Sequence, residues 1–223
     1  MVNGISLTIE DHSIVGLLGP NGAGKTTTFY MIAGMIAPDE GSIQLNGEDI
    51  TPLPMYKRAI MGLVYLPQEY SVFRKLTVAQ NIELVLEARG LSKQETKQRT
   101  AELLIDMGLS HLADQKAAYL SGGERRRLEV IRALAVEPEF ILLDEPFAGV
   151  DPLSIVDLQE MVKGLKKMGI GIFISDHNVR ETLTVCDRAY IVNNGSIVVE
   201  GTPEEILKSS VARKVYLGED FSL

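Results

Sequence analysis

Short apolar runs alternate with helical stripes along this chain of 223 residues. Val15 to Leu18 is an apolar run that ends in a glycine-rich turn, the pattern of a buried strand. Lys25 to Met35 then reads as a helix, stopped by the turn from Pro38 to Gly41, with strand-like pieces around Ile43 to Leu45 and Leu63 to Leu66. From Thr77 to Met107 the apolar positions take helical spacing. Val78, Ile82, Val85 and Leu86 share one face, and Leu103, Leu104 and Met107 mark a second segment. Gly90-Leu91-Ser92 is the break between them, and Ser92 with Glu95 spells a capping box.

A further helix is predicted from Ser121, with Leu128, Ile131, Leu134 and Ala135 on its buried side. Phe140 to Leu143 reads as a strand, Pro152 to Met168 as a helix and Ile170 to Ile174 as the next strand. Arg188 to Val192 and Ser196 to Glu200 form a hairpin, followed by short helices from Thr202 to Tyr216. Strands alternating with helices predict an α/β fold with a mostly parallel central sheet, an antiparallel β edge and a helical insertion. No repeat or low-complexity run interrupts this order.

Composition narrows the function more than the fold. With 45% hydrophobic and 23% charged residues the chain is ordinary for a globular domain, and its net charge of −8 argues against a nucleic-acid surface. The single cysteine, Cys186, cannot form an internal disulfide and reads as a small buried apolar residue. The longest apolar stretch, Phe29 to Ala37, is too short to cross a bilayer, and no signal-peptide pattern opens the chain. A cytoplasmic location is expected, with any membrane span supplied by another subunit.

Three segments carry chemistry. Gly19-Pro20-Asn21-Gly22-Ala23-Gly24-Lys25-Thr26, continued by Thr27, matches a P-loop between a strand and a helix. Its backbone N–H groups and helix N-terminus would cradle phosphates, Lys25 would reach the β- and γ-phosphates, and Thr26 would ligate Mg²⁺. Asp144 and Glu145 follow an apolar strand, at the edge where parallel sheets bind ligands. Asp144 is expected to hold Mg²⁺, and Glu145 to orient or deprotonate the attacking water. Ser121-Gly122-Gly123-Glu124 fits a capping box by spacing, and a capped helix start also suits an anion. Glu124 is expected to turn back on its own helix. The neighbouring Arg125-Arg126-Arg127 run reads as a solvated helix face rather than a nucleic-acid surface.

The P-loop, Leu120-Ser-Gly-Gly-Glu124, Asp144-Glu145 and His177, in this order and spacing, resemble the nucleotide-binding domain of ABC transporters. The resemblance covers essentially the whole chain. It implies a RecA-like core over 1–68 and 136–223 with a helical subdomain at about 69–135. It also implies ATP and Mg²⁺ as cofactors, and a homodimer in which each ATP lies between one P-loop and the partner's Ser121 to Glu124 segment. Gln68 resembles the Q-loop glutamine that contacts Mg²⁺ or water, and His177 the switch histidine, catalytic with Glu145 and Lys25. Ala148-Gly149-Val150-Asp151 resembles the D-loop, placing Asp151 at the dimer interface. Phe73 and Arg74, just after Gln68, would meet the coupling helix of two membrane permease subunits, with the chain peripheral on the cytoplasmic face of the inner membrane. Leu76 reads equally as interface or packing.

A narrower similarity lies in Ser121 to Arg127, Asp144 to Asp151, Asp176 to Glu181 and the ending Tyr216-Leu-Gly-Glu-Asp-Phe221. These segments are similar to the ATPase subunits of bacterial lipopolysaccharide exporters. Branched-chain amino-acid importer ATPases are the alternative, and soluble ABC-type ATPases acting on nucleic acid or ribosomes are disfavoured by the acidic balance and short insertion. Family members also carry an adenine-stacking aromatic before the first core strand. No aromatic precedes Phe29 here: either the start is misplaced or truncated, or adenine is held by phosphate contacts and a substitute surface, and weakened ATP affinity with the hydrolytic residues intact is the expectation.

Overall fold

The structure is a computed structural model that describes residues 2–218, the side chains at positions 152 and 153 excepted. The Gly-Glu-Asp-Phe resemblance near Phe221 therefore lies outside the described residues from position 219 onward. The described chain divides into two compact units, one of Met1–Gln68 with Glu139–Leu223 and the other Glu69–Pro138.

The first unit is built on a six-stranded sheet. β1 (Ile14–Leu18) pairs in parallel with β6 (Gly171–Ser175) on one side and β7 (Arg188–Asn193) on the other. β5 (Phe140–Asp144) lies between β6 and β4 (Leu63–Leu66), again in parallel, and β8 (Ser196–Gly201) closes the far edge antiparallel to β7. Every residue of β1, β5 and β6 is buried, as parallel strands covered on both faces require. On one face, α1 (Lys25–Ala33) brings Phe29 against Phe173, the rings stacked with centroids 4.7 Å apart. Val15, Leu17 and Leu142 complete that layer, while Leu18, Leu183, Ile191 and Ile206 form a second cluster.

The remaining elements of this unit are shorter. β2 (Gln44–Leu45) and β3 (Glu48–Asp49) make a small antiparallel pair, and α2 (Met55–Ile60) follows. α6 (Pro152–Lys167), α7 (Val179–Val185), α8 (Pro203–Lys208) and α9 (Ser210–Ala212) lead to a final π-helical turn, Arg213–Leu217.

α1 stops earlier than its apolar pattern suggests. Gly34 takes φ 81° and caps the helix, its N–H bonding to the Met31 carbonyl, so Met35 and Ile36 fall beyond it. Arg58 explains why the end is so sharply fixed. Its guanidinium is buried and donates to the carbonyls of Met31 (2.7 Å), Ile32 (2.6 Å), Thr51 (3.0 Å) and Leu53 (2.8 Å). It thus adds donors to the Met31 and Ile32 carbonyls at the end of α1, at the negative pole of the helix dipole.

The second unit contains α3 (Val78–Ala88), α4 (Lys93–Asp106) and α5 (Gly122–Leu134), with short 3₁₀ turns at Ser110–Leu112 and Ala117–Tyr119. Each of the three helices starts with a capping box: Thr77 with Gln80, Ser92 with Glu95, and Ser121 with Glu124. The compact unit ends at Pro138: Arg89 donates to the Ala135 carbonyl and pairs with Glu137, whereas Glu139 bonds back to Gly62.

Candidate nucleotide site

The turn between β1 and α1 winds as only glycine allows. Gly22 and Gly24 take φ 78° and 108°, and a Cβ on Gly19 would stand 2.1 Å from the Val192 carbonyl oxygen. A Cβ on Gly22 would meet nothing within 4 Å, so that part of the loop faces open space. Pro20 and Asn21 form its outer edge, Ala23 is buried, and Gly24 stands at the N-cap of α1. Lys25 is 5% exposed, and its Nζ donates to the carbonyls of Gly19 (2.7 Å) and Pro20 (3.1 Å), so its ammonium lies inside the loop. Thr26 is exposed and Thr27 half-buried in the first turn, where N–H groups are unpaired.

The ends of β5 and β6 supply the carboxylates. Asp144 is buried, and its Oδ2 accepts from the Tyr65 hydroxyl at 3.0 Å while Oδ1 has no well-formed hydrogen bond. Glu145 takes φ 45°, a left-handed backbone that a non-glycine residue seldom adopts. Its N–H donates to the Ser175 carbonyl at 2.6 Å, tying the end of β5 to the end of β6. Glu145 Oε2 accepts from Gln68 Nε2 at 2.9 Å and lies 3.3 Å from His177 Nδ1. Four segments, the P-loop and those carrying Gln68, Glu145 and His177, thus belong to the same unit, and the last three meet at one carboxylate oxygen.

Burial and charge set the electrostatics here. Burial pulls Lys25 below the ordinary lysine range, while Glu145, Asp176 and Asp144 pull it back up. Burial pushes Asp144 above the ordinary carboxylate range, opposed by the Tyr65 hydrogen bond and by Lys25 and reinforced by Glu145. Asp176 is raised by burial as well, against hydrogen bonds from the backbone of Asn178 and Phe147. Tyr216, on the last π-helical turn, donates its hydroxyl to the His177 carbonyl at 3.1 Å, and burial pushes its phenol up to about 12.

The residues after β5 continue the site. Phe147 is buried, Gly149 takes φ 68°, and Asp151 caps α6 by accepting from Ser154 N–H at 3.0 Å. Sequence reasoning gave Tyr65, Asp176 and Asn178 no role of their own, although Asp176 and Asn178 lie in the Asp176 to Glu181 segment. The Asp-x-Asn spacing of 176 to 178 was a usable signal, since an aspartate often bonds the backbone two residues on. Asn178 N–H does donate to Asp176 Oδ1, at 2.8 Å.

In the second unit, Ser121 caps α5. Its Oγ accepts from Glu124 N–H (3.3 Å), while Glu124 Oε2 accepts from Ser121 N–H and Oγ (2.8 Å each). Glu124 is therefore folded onto its own helix start, which holds its carboxyl below the usual range. Gly122 leaves room that a Cβ would fill at 3.3 Å from the Tyr70 hydroxyl, and Gly123 continues the first turn. The arginine run departs from a uniformly solvated face. Arg126 is buried and bonds Glu129 at 3.1 Å, and Arg125 lies over the Tyr70 ring, 4.5 Å from its centroid. Phe73 is 45% exposed beneath the Arg132 guanidinium, 4.8 Å away. Its N–H and carbonyl are held by the Asn81 side chain, and the exposed Arg74 offers its carbonyl to Ala118 N–H. Leu76 is half-buried.

The sequence pattern of ABC transporters matches residues 2–148. The chain belongs to the ABC transporter family. It is an ATP-binding and ATP-hydrolysing member, an α/β P-loop NTPase by fold. It is 54% identical to the lipopolysaccharide export system ATP-binding protein LptB of Haemophilus influenzae, over 100% of this chain and 93% of that one. LptB of Escherichia coli K12 is 53% identical over the same shares. The ATP-binding cassette MJ1267 of an ABC transporter, in its ADP conformation, superposes with a TM-score of 0.86. It shares 31% identity, covering 98% of this chain and 92% of that one. No helix among the described residues is long and apolar enough to cross a membrane.

Proposed function

We propose that this chain is the ATPase subunit of an ABC transporter that exports lipopolysaccharide, acting as a homodimer beneath two permease subunits at the cytoplasmic face of the inner membrane. The identity of 52–54% to LptB proteins along the whole chain supports the substrate. For the chemistry, the supporting observation is the meeting of Gln68 and His177 on Glu145 Oε2.

Gly19 to Thr27 would wrap the triphosphate, with the N–H groups of the first turn of α1 and the Lys25 ammonium neutralising its charge. Glu145 would take the proton of the attacking water, with Gln68 and His177, which meet its Oε2, helping to orient that water. The partner's Ser121, Gly122 and Gly123 would bind the γ-phosphate at the start of α5, with Glu124 held away by its capping box and Asp151 at the interface.

Mg²⁺ fits the residues present. Asp144 offers a buried oxygen without a well-formed hydrogen bond, Thr26 an exposed hydroxyl, and Gln68 an exposed amide. Among the described residues no three His, Cys, Asp or Glu side chains gather as a metal cluster, so phosphate and water would complete the shell. Bound there, the cation would neutralise charge developing on the β- and γ-oxygens.

We assign residues 69–138 to the helical subdomain and the rest to the RecA-like core. Phe73, with its backbone fixed by Asn81, and Arg74 would receive the permease coupling helices. A pull-down of the tagged chain from detergent-solubilised membranes tests the reading. Lipopolysaccharide-export permeases are expected in the eluate, and amino-acid permeases in their place would overturn it.

A further inference from the structure

Asp176 is wholly buried, yet the chemistry above gives it no task. Its two carboxylate oxygens reach different segments. Oδ2 accepts from the backbone N–H of Phe147 at 2.9 Å, and Oδ1 from the backbone N–H of Asn178 at 2.8 Å. Phe147 stands two residues beyond Glu145, and Asn178 one beyond His177. Asn178 then returns the tie, its Nδ2 donating to the Phe147 carbonyl at 3.2 Å. Both polar groups of the Phe147 peptide are thus held by the His177 turn. A second link lies further along the same elements, where Gln159 of α6 donates to the carbonyl (3.2 Å) and carboxylate (2.8 Å) of Glu181 on α7.

From this geometry we infer that Asp176 is a positioning residue for hydrolysis, clamping the turn that carries Glu145 to the turn that carries His177. Two charge-assisted bonds in a buried setting are strong and directional, so they fix backbone rather than merely fill space. The quantity they set is the approach of His177 to Glu145, 3.3 Å here. The segment just past Phe147 runs through Gly149 to Asp151 and α6, so a push on it would reach His177 through the same clamp. The charge of Asp176 favours the Lys25 ammonium, but its hydrogen bonds go to the Phe147 and Asn178 backbone, so it serves the hydrolytic step more than nucleotide capture. This rests on the ATPase reading above.

Asp176→Asn keeps the size but can accept only one of the two N–H groups, its amide nitrogen facing the other as a donor. ATP turnover is measured for the intact chain, Asp176→Asn, His177→Ala and the double variant, with KM and thermal midpoint for each. Asp176→Asn is expected to lower kcat roughly tenfold or more with KM changed less than about twofold, and to have no further effect on a His177→Ala background. Equal losses in both backgrounds, or a rise in KM with kcat unchanged, would reduce Asp176 to a structural residue and overturn the inference. If Asp176→Asn does not fold, Asn178→Ala removes the return tie without burying a mismatched amide. A several-fold fall in kcat that vanishes beside His177→Ala is then expected, and an unaltered kcat overturns the inference. An intact chain that hydrolyses no ATP would instead sink the ATPase reading itself.

Discussion

Glu145 holds φ 45° at the point where chemistry is assigned to it, with its backbone tied to Ser175 and to the turn beyond. A non-glycine residue in this region stores on the order of 1–3 kcal/mol, maintained by its surroundings. Lys25 shows a similar economy, since its buried ammonium is stabilised by loop carbonyls and three nearby carboxylates. The glycines of the loop divide by the same logic. Gly19→Ala would drive a Cβ into the Val192 carbonyl, and is expected to destabilise by roughly 1–3 kcal/mol in urea unfolding, with ATP binding lost. Gly22→Ala has open space around it, so only the left-handed penalty of about 1–2 kcal/mol applies, while ATP binding in calorimetry still fails because the methyl projects where phosphate must approach. Full ATP affinity in Gly22→Ala would contradict the placement of phosphate there. The glycine spacing, Lys25, Asp144 and Glu145 were legible from contiguous sequence patterns, and His177 from the family resemblance. Asp176 and Tyr65 were not, because their partners come from distant segments: Phe147 for one, Asp144 for the other.

At the scale of elements, the parallel strands were readable as apolar runs, and α3 and α4 from their stripes and the Ser92 cap. α2 escaped because Met55, Tyr56 and Ile60 are exposed while its one buried residue is an arginine, the reverse of an amphipathic signature. α1 was read too long because Gly34 sits within an apolar run, and what makes it a cap is its left-handed backbone beside Arg58. Arg126 was misread as solvated for a similar reason, its partner Glu129 being one turn on but turned inward. The capping boxes also make a pH prediction. Ser92, Ser121 and Thr202 hold Glu95, Glu124 and Glu205 below the ordinary 4.5 through backbone and side-chain hydrogen bonds. A depressed folded pKa gives stability that is present above 4.5 and lost as pH falls through the folded value. Thermal stability should therefore drop on acidification below 4.5, and a variant with all three glutamates changed to glutamine, which still accept the bond, should lose less over that range. Parallel curves for the two proteins would contradict the assignment.

For the whole molecule, the Ser121 to Glu124 segment and the P-loop belong to different compact units of the chain. A helix start built around two glycines, with its one carboxylate folded back, suits a phosphate presented by a second copy. That reading makes ATP the connector of a dimer and Glu145 the group that releases it. The most direct measurement is on Glu145→Gln, by size-exclusion with light scattering in ATP and Mg²⁺ alongside turnover. The account predicts a stable dimer that forms only with ATP, and turnover lowered by roughly a hundredfold or more. A variant that stays monomeric in saturating ATP while hydrolysing at the normal rate would contradict it.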